Sequence, residues 1–296
     1  MIDNPLINLE KLSEPLTKLT DVVSKGIGAL YSPYGTVKQA KADAKAKIIQ
    51  AKADAEVLTI EDRAKRRLLY HEVLRQENIE SIVSQAALEL PEVVSKKSLD
   101  NDWILQYFDH IQDVCDKDMQ KLWARILSGE VAEPSSYSKR TLQFLKTLDK
   151  DEAENFSYFC SYVLKRDSGW HFVCVDSLEI MENKQDDTDW LTHFVSIGLI
   201  STRMLSWMPS KMSGYLVHYF DEIYTLDGPK KTEAEKIQKP KPEKFCYFHD
   251  FTAIGQELAK IASAMKVVKF PDKLSDLLFK EYKLKLVRIN DENRKS

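Results

Sequence analysis

The chain has 296 residues, a formal net charge of −3, 43% hydrophobic and 30% charged residues, a size that accommodates two compact domains and an elongated element. The near-balanced charge excludes a disordered chain and a strongly basic nucleic-acid binder. Its four cysteines, Cys115, Cys160, Cys174 and Cys246, form no C-x-x-C pair, which excludes a secreted disulfide framework and points to a reducing compartment, the cytoplasm.

Residues 1–35 carry Leu9, Leu12, Leu16, Leu19, Val22, Val23, Ile27 and Leu30 at steps of three or four, the stripe of an amphipathic helix. The stripe is a candidate contact for sister copies or for the interface of the inner membrane, with Tyr31 and Tyr34 at headgroup level. Charges cancel between Glu10 and Lys25, which favours the oligomer over peripheral membrane contact. No basic leader with an apolar core precedes it, so no signal peptide is expected, and no apolar run reaches the roughly 20 residues of a spanning helix.

Residues 36–98 follow a break at Pro33 and Gly35, and from there to Pro91 neither glycine nor proline occurs. Rich in Ala, Lys, Glu, Gln and Leu, the segment predicts one helix of roughly 80 Å. The hexapeptide QAKADA occurs at Gln39–Ala44 and again at Gln50–Ala55, an eleven-residue offset that returns side chains to nearly the same face. Ala40, Ala44, Ile48, Ala51, Ala55 and Leu58 then form a narrow seam, too thin to bury much in cis and suited to close approach by another copy. Similar helices occur in ring-forming membrane scaffolds, a likeness of composition alone.

Residues 99–168 read as a helical domain. Trp103, Tyr107, Ile111 and Val114 share one face, with Asp100 or Asp102 as cap; Leu122 and Ile126 follow, then Leu142, Leu145, Leu148, Phe156, Phe159 and Val163. Ser138 is a cap for the helix that starts at Lys139, and Ser138, Lys139 and Arg140 are a candidate anion-binding helix start.

Residues 169–296 change character. Trp170–Val175 reads as a strand, Thr188–Ile200 as a helix ending at Gly198, Tyr215–Leu226 as a strand and Phe245–Phe251 as its partner. Thr252 caps a helix to about Ala264, and Leu284–Ile289 is a last strand. This order is winged-helix-like, so the expected fold is mainly α with a small α+β part.

Three phrases carry a resemblance: DNDWILQYFDHIQDVCDKDMQKLWARILSGEV with YSKRTLQFLKTLDKDEA, HFVSIGLIS at His193–Ser201, and FTAIGQELAKIA at Phe251–Ala262. They resemble a family of bacterial proteins of unknown function, itself similar to the abortive-infection alpha-type proteins. The resemblance implies a helical body, a winged-helix-like end and a role in defence against bacteriophage; it supplies no catalytic residues.

Common chemistries find little support. His171/Cys174 and Cys246/His249 could in principle supply two histidines and two cysteines to zinc, but residues three apart on a strand face opposite ways, so no metal and no cofactor is expected. There is no G-x-S-x-G elbow and no phosphate-cradling glycine loop. Asp186, Asp187 and Asp189 read as helix-start carboxylates. The helix before the wing lacks Lys and Arg, and Asp227–Lys244 sets six lysines against four acids, which disfavours nucleic acid. The reading is therefore a non-enzymatic homo-oligomer whose winged-helix-like part meets a protein partner. A winged-helix DNA-binding regulator is the alternative, and an unrecognised hydrolase a more distant one.

Overall fold

A computed structural model describes residues 13–28, 31, 59–181, 189–228 and 244–289. The chain divides into two compact units at Thr147/Leu148, twenty-one residues before the boundary expected from the change of character at Gly169.

The first unit is helical: α1 (Glu14–Ile27), α2 (Ile60–Leu88), α3 (Asn101–Ile111), α4 (Lys117–Ala132) and α5 (Lys139–Thr147). Carboxylates start the middle pair. Asp100 accepts from the amides of Asp102 and Trp103, and Asp116 from those of Asp118 and Met119, satisfying donors that have no partner within the helix. Aromatic residues build the core, with Trp103 stacked on Tyr107 at 5.1 Å and Tyr107 edge-on to Trp123 at 5.6 Å. Their polar ends are satisfied: Trp103 Nε1 donates to the Tyr137 carbonyl and Tyr107 Oη to the Trp123 carbonyl, each at 2.8 Å.

Helix α1 has the expected amphipathic character, but its stripe points inward. Leu19, Val22 and Val23 are buried against α3 and α4, and Leu16 and Ile27 are partly buried. Lys18 secures the helix by donating to the Ser95 and Val131 carbonyls at 2.7 Å. The middle of the stripe is therefore covered within its own unit rather than by a membrane or a sister copy, because α3 and α4 present enough apolar surface to take it. Leu9, Leu12 and Leu30 lie outside the described residues.

The second unit holds α6 (Lys150–Cys160), β1 (Leu164–Arg166), β2 (His171–Cys174), α7 (Trp190–Ser196), β3 (Ile200–Trp207), β4 (Tyr215–Tyr219), β5 (Glu222–Asp227), β6 (Cys246–Phe251), α8 (Ala253–Ala259), α9 (Phe270–Tyr282) and β7 (Lys285–Arg288). The seven strands form one antiparallel sheet in the order β3-β6-β2-β1-β4-β5-β7. Helix α6 belongs here because Phe156 and Phe159 meet Phe194 and Phe251 ring to ring. Phe172, Tyr219, Phe248, Phe270, Leu274 and Leu278 fill a core shared by the sheet and α9.

This sheet corrects the winged-helix expectation. Tyr215–Leu226 is not one strand paired with Phe245–Phe251; it is the β4–β5 hairpin, turned at Phe220 with φ +52°. Strand β6 pairs instead with β2 and β3, and β5 pairs with β7. The molecule is mixed α/β, with nine α-helices among the described residues and a seven-stranded antiparallel sheet in its C-terminal half.

Candidate functional site

Helix α2 is two helices in one. Its second half is rooted: Asn78, Ile79, Ile82, Val83 and Ala86 are buried. Asn78 Nδ2 donates to the Gln112 carbonyl at 2.9 Å, Gln120 Nε2 to Asn78 Oδ1 at 3.1 Å, and Ser81 Oγ to Gln120 Oε1 at 2.7 Å, so the polar groups sealed between α2 and α4 are paired. Its first half packs on little. Of Ile60–Val73 no residue is buried, and Ile60, Leu68, Leu69 and Tyr70 are 79%, 63%, 55% and 45% exposed. Fourteen residues at 1.5 Å each carry this arm about 20 Å.

The arm starts at a definite cap. Thr59 is extended (φ −62°, ψ 161°) and its hydroxyl oxygen accepts the Asp62 amide. A Lys65–Glu61 pair at 3.0 Å follows on the surface. Residues 36–98 are therefore not one rod: a helix begins at Ile60 and ends at Leu88, where Pro91 forbids much further extension. Threonine in an Ala-rich run is the stop the composition hid, since its hydroxyl competes for backbone amides. The seam residues Ala40, Ala44, Ile48, Ala51, Ala55 and Leu58 lie outside the described residues.

The proposed anion site is already engaged. Ser138 Oγ accepts the Thr141 amide at 3.3 Å, and Lys139 Nζ lies 3.2 Å from Asp100 and 3.6 Å from Asp102, with Arg140 exposed. The carboxylates that start α3 thus neutralise the cation meant for a ligand.

In the second unit a cleft of about 500 Å³ is lined by Arg166, Ser168, Trp170, Arg203, Asp250 and Thr252, among others. Arg166 forms a two-pronged pair with Asp250, at 2.6 and 3.2 Å, and its guanidinium lies over the rings of Phe172 and Phe248 at 5.5 and 5.3 Å. Thr252 caps α8. The charges of Arg166 and Asp250 are spent on each other, while Arg203 stands exposed on the cleft wall.

All six histidines are described, and none is hydrogen-bonded to a Ser, Thr or Cys side chain. His171 meets Gln256 Oε1 at 2.6 Å, His193 meets Glu152 at 2.7 Å, His218 meets Asp167 at 3.2 Å and His249 meets the Ser201 carbonyl at 2.9 Å. That pattern staples elements together and presents no activated nucleophile.

One cluster escaped sequence reasoning. Cys174 Sγ and Cys246 Sγ lie 3.6 Å apart, Asp176 Oδ2 is 3.8 Å from Cys174 Sγ, and Tyr282 Oη donates to that same Asp176 oxygen at 2.7 Å. Contact with Cys174, then burial, holds the Cys246 thiol far above the ordinary range. His171 meets Gln256 and His249 meets the Ser201 carbonyl, apart from this cluster. The C-x-D spacing at Cys174 and Asp176 was the available signal, and the wrong partner for β6 concealed it.

Residues 62–173 match the model of one family. Its description is protein of unknown function (DUF2806). The match runs from the arm of α2 through α3, α4, α5 and α6 to β2, and it carries no link to abortive infection. No curated protein and no solved structure matches the chain. Among the described residues no helix is long and apolar enough to cross a membrane.

Proposed function

We propose that this chain is a non-enzymatic interaction protein that assembles with copies of itself through the QAKADA segment and the arm of α2 that continues it. The supporting observation is the arm: three consecutive large apolar residues, Leu68, Leu69 and Tyr70, stand in solvent on a helix whose other half is securely packed. Exposed apolar residues gathered in this way favour a protein contact over a solvated spacer. Within the same reading the setting is phage defence in the bacterial cytoplasm, an assignment supported by the resemblance of the three phrases alone. A non-catalytic role agrees with the histidine partners and with the Arg166–Asp250 pair.

Light scattering of the purified chain tests the assembly. Deleting the first 90 residues would remove α1 and the rooted half of α2, so surface variants are the better instrument. The unaltered chain is expected to run as an oligomer, and Leu68→Glu combined with Leu69→Lys to shift it towards monomer with unchanged far-UV circular dichroism. A monomeric native chain at micromolar concentration overturns the proposal.

The DNA-binding alternative gains nothing here. Helix α7, Trp190–Ser196, has no Lys or Arg, and the strands around it form a broad sheet in place of a wing.

A further inference from the structure

Strand β2 ends at Cys174, and the chain then turns through a 3-10 segment, Val175–Glu179, that Ser177 Oγ ties back to the Cys174 carbonyl at 2.6 Å. The turn returns Asp176 to the Cys174 side chain instead of continuing along the sheet. Cys246 opens β6, the antiparallel neighbour of β2, at a position diagonal to Cys174, which pairs with Phe248. Seventy-two residues apart in sequence, the two cysteines meet only because these strands are adjacent. From the other side comes Tyr282, the last residue of α9.

From this convergence we infer a binding site for a thiophilic divalent cation, zinc above all, with Cys174, Cys246 and Asp176 as ligands and Tyr282 as the residue that orients the carboxylate. Donor spacing is the first support. Two thiolates on one tetrahedral zinc, at Zn–S distances of about 2.3 Å, stand about 3.8 Å apart, and the observed separation is 3.6 Å. A thiolate and a carboxylate oxygen on the same ion stand about 3.5 Å apart, against 3.8 Å for Cys174 and Asp176. All three donor atoms lie within 4.8 Å of one another. Chemistry is the second support, because paired thiolates select zinc or its spectroscopic substitute cobalt over magnesium and calcium.

The surroundings provide the outer layer that such a site needs. Tyr282 Oη donates to Asp176 Oδ2 and leaves Oδ1 and a remaining lone pair for the ion. Lys244 lies over the Tyr282 ring at 5.2 Å and is paired with Glu281, so this ammonium is held by another acid. Cys174, Cys246 and Tyr282 are buried in the core with Phe248, and Trp207 packs against it. Three protein ligands leave a fourth position for water, the arrangement of an open zinc site. Binding would lock the starts of β6 and of the 3-10 turn to each other, so the ion would act first on the stability of this half of the sheet.

The test uses the full chain, reduced and stripped with a chelator, then titrated with cobalt(II) and, in competition with a chromophoric chelator, with zinc(II). One equivalent per chain is expected, with the intense near-ultraviolet charge-transfer absorption of thiolate–cobalt bonds and a rise in the melting temperature. Tyr282→Phe should weaken zinc binding by about 10- to 100-fold, Asp176→Asn by at least as much, and Cys115→Ala should change nothing. Cys246→Ser should abolish the thiolate–cobalt absorption of the pair. If that variant fails to fold, the native spectrum and the Tyr282→Phe affinity decide. Absence of charge-transfer absorption in a chain whose four thiols all react once it is denatured overturns the inference. So does finding that only two thiols react until a reductant is added, since that result assigns Cys174 and Cys246 to a disulfide.

Discussion

Glu130 is the most consequential acid in the first unit, and replacing it offers a quantitative check on how that unit is held. It lies on α4 and is 2% exposed, with Oε1 accepting the Ser135 amide at 2.6 Å and Oε2 the Tyr137 amide at 3.0 Å. Those two bonds fold the loop before α5, where Ser135 sits at φ +78°, a conformation that non-glycine residues seldom adopt. In Glu130→Ala the Ser135 amide, on an exposed residue, can turn to water at little cost. The Tyr137 amide cannot, because its bond is buried, and an orphaned buried donor costs about 1–3 kcal/mol. One lost methylene adds about 1 kcal/mol, for a total of roughly 2–4 kcal/mol. For a unit of this size that lowers the melting temperature by roughly 5–15 °C, measured by far-UV circular dichroism. Glu130→Gln keeps one acceptor but turns an amide donor towards the other N–H, so it should fall between. A fall of less than about 2 °C for Glu130→Ala would refute the reasoning, because it would mean that the loop holds Ser135 and Tyr137 without the carboxylate.

Two further outcomes follow from close contacts. A Cβ at Gly255 would strike the Leu199 carbonyl, a backbone atom that cannot swing aside, so Gly255→Ala should cost about 1–3 kcal/mol, read by chemical denaturation. Acid should weaken the chain through its buried histidines. His110 has a buried Nδ1 without a hydrogen-bond partner, and burial first, then Lys146, hold it below its ordinary 6.5, with Asp109 opposing. His171 is lowered by burial, against its bond to Gln256. Both bind fewer protons folded than unfolded, so their stability is complete above pH 6.5 and declines as the pH falls through that value. Thermal melts from neutrality down to about pH 5 should show the decline, and His110→Phe should flatten it; an unchanged pH profile in that variant would contradict the assignment.

The helical half was legible because its signals are local. Asp100 with Trp103, Tyr107 and Ile111 states both where α3 starts and which face it buries. The same logic found α1 but misjudged what covers it, since periodicity reports that a face is buried and not against what. The sheet was less legible for reasons that can be named. Strand β3 alternates poorly, with Ser201, Thr202, Arg203 and Met204 on its exposed stretch. The β4–β5 turn has no Asn-Gly or Gly: Phe220 occupies the left-handed position, which no turn rule anticipates. Helix α9 announces itself only by Pro271 in its first turn. Pairing β6 with β2 and β3 is non-local, and with that pairing missing, the approach of Cys174 to Cys246 could not be read.

That the arm of α2 is helical is weak evidence of a partner, because a helix already nucleated by its rooted half extends at little cost. Propagation adds one hydrogen bond for each residue fixed, and Ala, Lys, Arg, Leu and Glu all favour it. Thr59 and the Glu61–Lys65 pair contribute about 1–2 kcal/mol more. What favours assembly is therefore the set of residues the arm exposes. A solvated spacer needs charge all round, and Arg63, Lys65, Arg66 and Arg67 supply it. Leu68, Leu69 and Tyr70 then interrupt it at successive 100° steps that span more than half the circumference. One flat partner would cover one or two of these side chains and leave the third wet. Covering all three requires contact on more than one side, the environment found in a bundle of several such helices.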